Sequence, residues 1–215
     1  MMTFTAQKHA QWLEALADFL NDRTENPNAQ GLLMDPRRIW NADETGVAFM
    51  GGTGQLGAVL AERGSKYVNQ ETHGTKEQFT VMWCGNAEGA MLPPFIVVPG
   101  TERQQNKAPE KGWIDIEKWP GARAWVTARG WMTSAAFIEW LRFLDEAVTT
   151  LPQFTDVLKP ILLVMDGHGS HVSGPAARFA KSKNIILWLL PANATGVSFF
   201  FFFIIFYFCF YFIFF

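Results

Sequence analysis

Residues 161–171 read Ile161-Leu162-Leu163-Val164-Met165-Asp166-Gly167-His168-Gly169-Ser170-His171. Five consecutive apolar residues predict a strand in the middle of a covered sheet, because such a strand is buried on both faces. The aspartate that follows lies at the carboxyl edge of the sheet, where α/β proteins bind their ligands. The glycines beside it let a ligand or a metal approach the backbone. This stretch therefore predicts an α/β fold with a carboxylate held at a cleft.

A second aspartate, Asp43, lies in Arg38-Ile39-Trp40-Asn41-Ala42-Asp43-Glu44-Thr45-Gly46. We predict a short strand over Arg38–Asp43 that closes on Gly46. Glu44 is adjacent, so on a strand its side chain points to the opposite face and supports the site rather than binding a ligand. Carboxylate oxygens are the ligands that Mg²⁺ and Mn²⁺ prefer. Two such ions can cleave a phosphodiester, although holding both usually takes three carboxylates.

The remaining pattern predicts a mixed sheet with flanking helices. Helices are indicated over residues 6–20, 132–149 and 173–183, and strands over residues 78–84 and 184–190. Residues 91–98 predict the second strand of a hairpin, and Pro93 and Pro94 favour an edge position for it. Residues 101–130 are polar and are interpreted as a long loop or insertion.

Length and composition limit the function classes. A chain of 215 residues can form one domain with a sizeable core. Its formal charge of −2 gives no strong basic signature for nucleic acid. The two cysteines, Cys84 and Cys209, make no metal or disulfide framework, and Cys84 is expected to be a buried small hydrophobe. The N-terminus lacks the pattern of a signal peptide, which favours an intracellular location.

The two histidines after Asp166 allow a second kind of site. His168 and His171 would form an Asp-x-His-x-x-His zinc set with Asp166, but no further cluster in the sequence supports one. We interpret His168 as lining the cleft and His171 as lying near a helix N-terminus. Ser170 is not flanked by a Gly-x-Ser-x-Gly elbow, so a capping role is favoured over a nucleophile.

The last seventeen residues, 199–215, are all Phe, Ile, Tyr or Cys. Two interpretations are open. A thymine-rich non-coding stretch translated in frame gives this composition, and this is the favoured interpretation. A C-terminal membrane segment is the alternative, because residues 198–215 are just long enough to span a bilayer.

Several ordered blocks resemble the DDE superfamily endonuclease domain, the transposase domain of pogo-like elements related to Tigger, jerky and centromere protein B. The blocks are Asn41-Ala42-Asp43-Glu44-Thr45-Gly46, Phe79-Thr80-Val81-Met82-Trp83-Cys84-Gly85-Asn86-Ala87-Glu88-Gly89, Leu92-Pro93-Pro94, Gly130-Trp131-Met132, the stretch Leu163–His171, and Ile185–Thr195. The resemblance covers roughly residues 35–195 and rests on the order and spacing of these blocks.

The resemblance implies an RNase H-like fold and metal-dependent cleavage and transfer of DNA strands. Asp43 matches the first catalytic acid of the family and Asp166 the second, and both would bind Mg²⁺ or Mn²⁺. The family's third acid ends a His-x-x-Gln-Pro-Leu-Asp segment, but this sequence departs from the pattern after Thr195. The expected domains are a helical remnant or linker (1–34), an endonuclease domain truncated before its last catalytic helix (35–195), and the hydrophobic tail (196–215).

Three functional hypotheses follow. The first is a catalytically defective remnant of a nuclear transposase that acts on DNA, with homo-oligomerisation left open. The second is a non-enzymatic DNA-binding protein that uses a modest basic face, comprising Arg103, Lys107, Lys111, Lys118, Arg123 and Arg129. The third is a membrane protein anchored by its C-terminal tail.

Overall fold

The computed structural model of the chain describes residues 6–48, 78–108, 118–154, 156–167 and 173–191. Within these residues a sheet of six strands is flanked by three α-helices. The strands are β1 (Ile39–Ala48), β2 (Gln78–Asn86), β3 (Phe95–Pro99), β4 (Arg123–Thr127), β5 (Ile161–Met165) and β6 (Ile185–Leu189). The helices are α1 (Ala6–Asn21), α2 (Ser134–Thr150) and α3 (Gly174–Ser182).

The sheet is mixed, with the strand order β4-β3-β2-β1-β5-β6. Strand β2 runs antiparallel to both of its neighbours, and every other neighbouring pair is parallel. The carboxyl ends of β1, β3, β4, β5 and β6 therefore point the same way. This arrangement confirms the predicted α/β mixed sheet with flanking helices, and the hairpin of β2 and β3 is as predicted.

Two apolar layers cover opposite faces of the sheet. Trp40, Leu163 and Met165 belong to the larger core, which α2 and α3 complete. Leu162 and Val164 belong to the smaller core, which α1 completes through Leu16 and Leu20. Because successive side chains of a strand point to opposite faces, β5 contributes to both cores and is buried throughout. Burial on both faces explains why all five residues of β5 are apolar.

Side-chain caps set where two of the helices begin. The Thr133 hydroxyl accepts a hydrogen bond from the backbone N–H of Ala136 at 3.2 Å, at the start of α2. Ser173 does the same for Ala176 at 3.4 Å in α3, where Pro175 occupies the first turn. Both caps satisfy backbone donors that a helix leaves unpaired at its first turn. The three predicted helices are confirmed to within two residues at each end.

The predicted edge position of residues 91–98 is wrong. Strand β3 lies inside the sheet, because β4 pairs with it in parallel from Phe95↔Arg123 to Pro99↔Thr127. Pro93 and Pro94 precede β3, so they remove no hydrogen bond from its ladder. Strand β4 itself lies within the stretch 101–130 that was expected to be a loop, of which residues 109–117 are outside the described residues.

The strand that carries Asp43 is longer than predicted. Strand β1 pairs with β2 over all but its first residue, from Trp40↔Asn86 to Ala48↔Gln78. Asp43 therefore lies in the middle of β1 and not at its end. The second half of the strand has polar residues and a glycine, so it shows no apolar run in the sequence. The loop expected over residues 51–54 lies outside the described residues.

An ion cluster joins α2 to the segment before β5 and to the segment between α3 and β6. The Asp145 carboxylate accepts hydrogen bonds from Lys159 and, at 2.9 Å, from Lys183. Burial acts to raise the pKa of Asp145, but the hydrogen bonds from the two lysines outweigh it and hold the pKa below its ordinary value. The cluster connects α2 to the chain at the amino ends of β5 and β6.

Candidate functional site

Strand register brings the two aspartates together. Strands β1 and β5 pair in parallel as Ile39↔Leu162, Trp40↔Leu163 and Asn41↔Val164. Continued two residues beyond the last paired residues, the same register sets Asp43 opposite Asp166, which directly follows β5. Because neighbouring strands lie about 4.8 Å apart, this extension of the register predicts that the two carboxylates share one local site. The ladder ends at Asn41↔Val164, so the aspartates lie where β1 continues and β5 stops.

The side chains of both aspartates are assigned to the face of the sheet on which α1 packs nearer the amino ends of β1 and β5. Ile39 and Leu162 contribute to the core beneath α1, whereas Trp40 and Leu163 contribute to the core beneath α2. Alternation along each strand assigns Asp43 and Asp166 to the face of Ile39 and Leu162. Both side chains are partly exposed. If the register continues past its last pair, the two carboxylates are neighbours on one face, and both residues are partly exposed.

Hydrogen bonds hold the backbone beside the pair. The buried Asn41 side chain donates from Nδ2 to the Val164 carbonyl oxygen at 3.0 Å, which fastens β1 to β5 at the end of their ladder. The Leu190 N–H donates to the Met165 carbonyl at 2.8 Å. The Asp43 carboxylate accepts the Glu44 N–H at 2.9 Å. Asn41 was missed by sequence reasoning, although a lone amide within an apolar strand is a signal of a specific hydrogen bond.

The other acidic and histidine candidates are placed differently. Glu44 pairs in register with Met82, which is buried in the core beneath α2, so Glu44 lies on the face opposite Asp43. This is the orientation that the sequence suggested. His168 and His171 lie outside the described residues, as does Ser170. Their roles stay predictions.

The six basic residues are distributed over several parts of the sheet. Arg103 follows β3 and Arg129 follows β4, so both are exposed near the carboxyl ends of these strands. Lys107 is exposed beside β4, where its carbonyl accepts the Val126 N–H at 3.0 Å. Lys118 is exposed at the amino end of β4. Lys111 is outside the described residues.

Arg123 differs from these residues because its guanidinium forms an ion pair within the protein. Its guanidinium donates to the Glu146 carboxylate of α2 at 2.6 Å and lies 5.1 Å from the centre of the Phe143 ring. Arg123 also shares a register row with Phe95 and Met82, which face α2. It therefore lies on the opposite face of the sheet from the two aspartates.

The donor set at the aspartates suits a hard cation. Mg²⁺ is commonly held by one or two carboxylates together with waters and substrate phosphates. Among the described residues there is no group of three or more His, Cys, Asp or Glu side chains that could hold a metal. No Asp or Glu occurs in residues 167–215. The two aspartates thus fit one divalent cation, and the described part of the chain provides no carboxylate set for two.

Other features of the described residues lie apart from this site. Cys84 is buried in the core beneath α2, and burial raises the pKa of its thiol, so it is not a thiolate ligand or nucleophile. A cavity of about 350 Å³ lies at the amino end of β6, beside residues 25–28. The described helices include none with the length and apolar character needed to cross a bilayer. The hydrophobic tail lies outside the described residues.

The sequence profile of the family described as DDE superfamily endonuclease matches residues 76–201, which is more than half of the chain. The matched range contains β2 to β6 and Asp166, and it begins after Asp43. A search of curated protein sequences finds no match.

Solved structures of Mos1 transposase are similar in fold. A pre-cleavage Mos1 transpososome aligns with a TM-score of 0.50 and 10% identity, over 91% of this chain and 46% of that chain. The catalytic domain of Mos1 mariner transposase aligns with a TM-score of 0.47 and 9% identity, over 91% of this chain and 67% of that chain. The chain thus spans about half the length of the first relative. The fold shared with the transpososome confirms the predicted RNase H-like architecture.

Proposed function

Because the chain belongs to the DDE superfamily endonuclease family, we propose that Asp43 and Asp166 hold one divalent cation at a DNA-binding site with little remaining cleavage activity. The observation that supports the proposal is the parallel register of β1 and β5, which, continued two residues beyond its last pair, sets Asp43 beside Asp166. Two adjacent carboxylates repel each other unless a cation or a proton lies between them. A cation also allows a DNA phosphate to approach the pair.

The chain's own residues would position this site. Asp43 and Asp166 supply the carboxylate oxygens, and the Asn41 hydrogen bond to Val164 keeps their strands in register. A bound Mg²⁺ or Mn²⁺ supplies Lewis-acid polarisation of a phosphodiester oxygen. The flanking glycine, Gly167, has no described residue within 4 Å of the position of an added Cβ, which would let a ligand approach the backbone there.

The proposed loss of cleavage follows from the missing third acid. Strand cleavage by two ions needs carboxylates that anchor each ion and bridge between them. Residues 167–215 contain no acidic side chain to complete the set. The 215 residues are therefore expected to bind a cation and DNA without efficient phosphodiester hydrolysis.

DNA contact is proposed to be weak and dependent on salt. The formal charge of the chain is −2, so attraction to phosphates relies on a few local cations. Arg103 and Arg129 are exposed near the carboxyl ends of β3 and β4, whereas Arg123 is paired with Glu146. We assign Arg103 and Arg129 to phosphate contact and exclude Arg123 from it.

The resemblance to pogo-like transposases supports action in the nucleus. The transpososome formed by Mos1 supports self-association of this chain on DNA. A purely DNA-binding role without any metal is the alternative, and metal binding distinguishes the two. The membrane alternative depends on residues 199–215 and has no support among the described helices.

The proposed loss of DNA cleavage is tested by incubating supercoiled plasmid with the full chain in Mn²⁺ and measuring nicked product. We expect nicking by the wild type to equal the background of the Asp166→Asn variant, because the second ion has no anchor. Activity well above that background, abolished by Asp166→Asn, would show an intact catalytic centre.

In low salt the same plasmid should be bound by the full chain. Arg129→Ala should weaken this binding, and Arg123→Ala is the matched control that should leave it unchanged.

A further inference from the structure

One exposed aromatic side chain lies in the same row as the two aspartates. In the antiparallel pairing of β1 and β2, Trp83 is directly opposite Asp43. Directly opposite residues of an antiparallel pair share one face, with Cβ atoms about 4.5–5.5 Å apart. Asp43 and Trp83 are therefore neighbours on one face of β1 and β2, and the extended register of β1 with β5 sets Asp166, directly after β5, on the other side of Asp43.

The exposure of Trp83 is unusual for its place in the sheet. Strand β2 lies between β1 and β3, and a large apolar residue on an interior strand is ordinarily buried. The Trp83 side chain is 39% exposed, while Met82 and Cys84 beside it are buried in the core. Val81, on the same face as Trp83, is only 6% exposed. On this face of β2 the chain therefore buries Val81 but leaves the indole ring of Trp83 partly exposed, next to Asp43.

The chemistry of an indole ring selects its ligand. The ring has no charge and only one N–H donor for a phosphate oxygen, whereas its whole π-face can stack on any nucleobase. A DNA strand whose phosphate lies at Asp43 and Asp166 would bring the base of a flanking nucleotide towards the neighbouring strand. That base must be unpaired, because bases of an intact duplex are stacked on one another.

We propose that Trp83 is a stacking platform for an unpaired base next to the phosphate held at Asp43 and Asp166. This inference rests on the proposed DNA-binding function of the aspartate pair. It makes Trp83 a positioning residue, which fixes the nucleotide beside the cation site. It also predicts a preference for single-stranded or distorted DNA over regular duplex.

The test compares two single strands that have the same phosphates but differ in their bases. One is an ordinary oligonucleotide, and the other is an abasic strand of the same length. Their binding to the full chain is measured by fluorescence anisotropy in Mg²⁺. For the wild type we expect the ordinary strand to bind at least about fivefold more tightly than the abasic strand. Trp83→Ala should reduce this ratio towards one without changing the affinity for the abasic strand.

Two further variants make the result specific. Trp83→Phe retains an aromatic face and should restore most of the preference for bases. Trp131→Ala removes a tryptophan that is 56% exposed beyond the end of β4, and it should leave the preference unchanged. Circular dichroism of each variant checks that the fold is retained.

The outcomes separate the inference from the function on which it rests. Binding of both strands with equal affinity by the wild type would overturn the stacking role of Trp83 and leave DNA binding intact. An equal loss for both strands in Trp83→Ala would also overturn it, because a protein contact or a structural role has that result. Absence of any DNA binding by the wild type would overturn the proposed function and this inference together.

Discussion

Replacement of Trp40 by alanine is expected to lower the free energy of unfolding by about 3–5 kcal/mol. The Trp40 side chain is 0% exposed and lies in the larger core. Its ring packs edge-on against Phe154, with centroids 5.1 Å apart at 70°. Alanine removes the buried aromatic surface and leaves a cavity between β1 and the α2 layer. Urea unfolding of the wild type and the variant measures the difference.

Trp40→Phe is the matched control. Among the described residues the buried Trp40 Nε1 has no hydrogen-bond partner, so the indole N–H gives no stabilisation. Phenylalanine keeps a ring against Phe154 and removes this unpaired donor. It should therefore cost much less than alanine. Equal costs for the two variants would mean that the core does not depend on an aromatic ring at this position.

Gly130→Ala is expected to destabilise the protein by about 2–5 kcal/mol, the sum of left-handed backbone strain and overpacking. Gly130 has φ of 72°, and an added Cβ would lie 2.2 Å from the Gln78 carbonyl oxygen. The Gly130 carbonyl also accepts a hydrogen bond from the Thr80 hydroxyl at 2.7 Å. The backbone beyond β4 is thus held against the start of β2, and it cannot move away without losing that bond.

Gly31→Ala separates the two causes. Gly31 has nearly the same φ, 68°, but no described residue lies within 4 Å of an added Cβ. It should therefore show only the cost of the left-handed conformation, about 1–2 kcal/mol. Thermal or urea unfolding of both variants gives the comparison. A Gly130→Ala cost no greater than that of Gly31→Ala would contradict the close approach to Gln78.

The elements that the sequence predicted well are those with strong local signals. The apolar run of β5 is only five residues long and is followed by glycines, which favours a strand buried on both faces over a buried helix. The helix α2 combines a threonine cap with an apolar stripe. Strand β4 has neither kind of signal: it is five residues long, lies within a polar stretch, and is specified by pairing with β3. That pairing is non-local, so the sequence around residues 123–127 does not reveal it.

The sequence proposes residues for the candidate site but not their arrangement. It singles out Asp43 and Asp166 yet predicts Asp43 at a strand end, and only the register of β1 with β5 gives a reason for the two to be neighbours. Trp83 was missed because Val81-Met82-Trp83-Cys84 is apolar throughout, so no alternation marks the exposed residue. Arg123 was grouped with the basic residues because its ion pair with Glu146 joins segments that the sequence cannot relate.

The central claim is that Asp43 and Asp166 together hold a divalent cation. Titration of the full chain with Mn²⁺, followed by electron paramagnetic resonance of the free ion, measures this directly. We predict one bound ion for the wild type and affinities at least about tenfold weaker for Asp43→Asn and for Asp166→Asn. Glu44→Gln, on the opposite face, should bind as the wild type does. Unchanged binding in both asparagine variants, or an equal loss in Glu44→Gln, would contradict the claim.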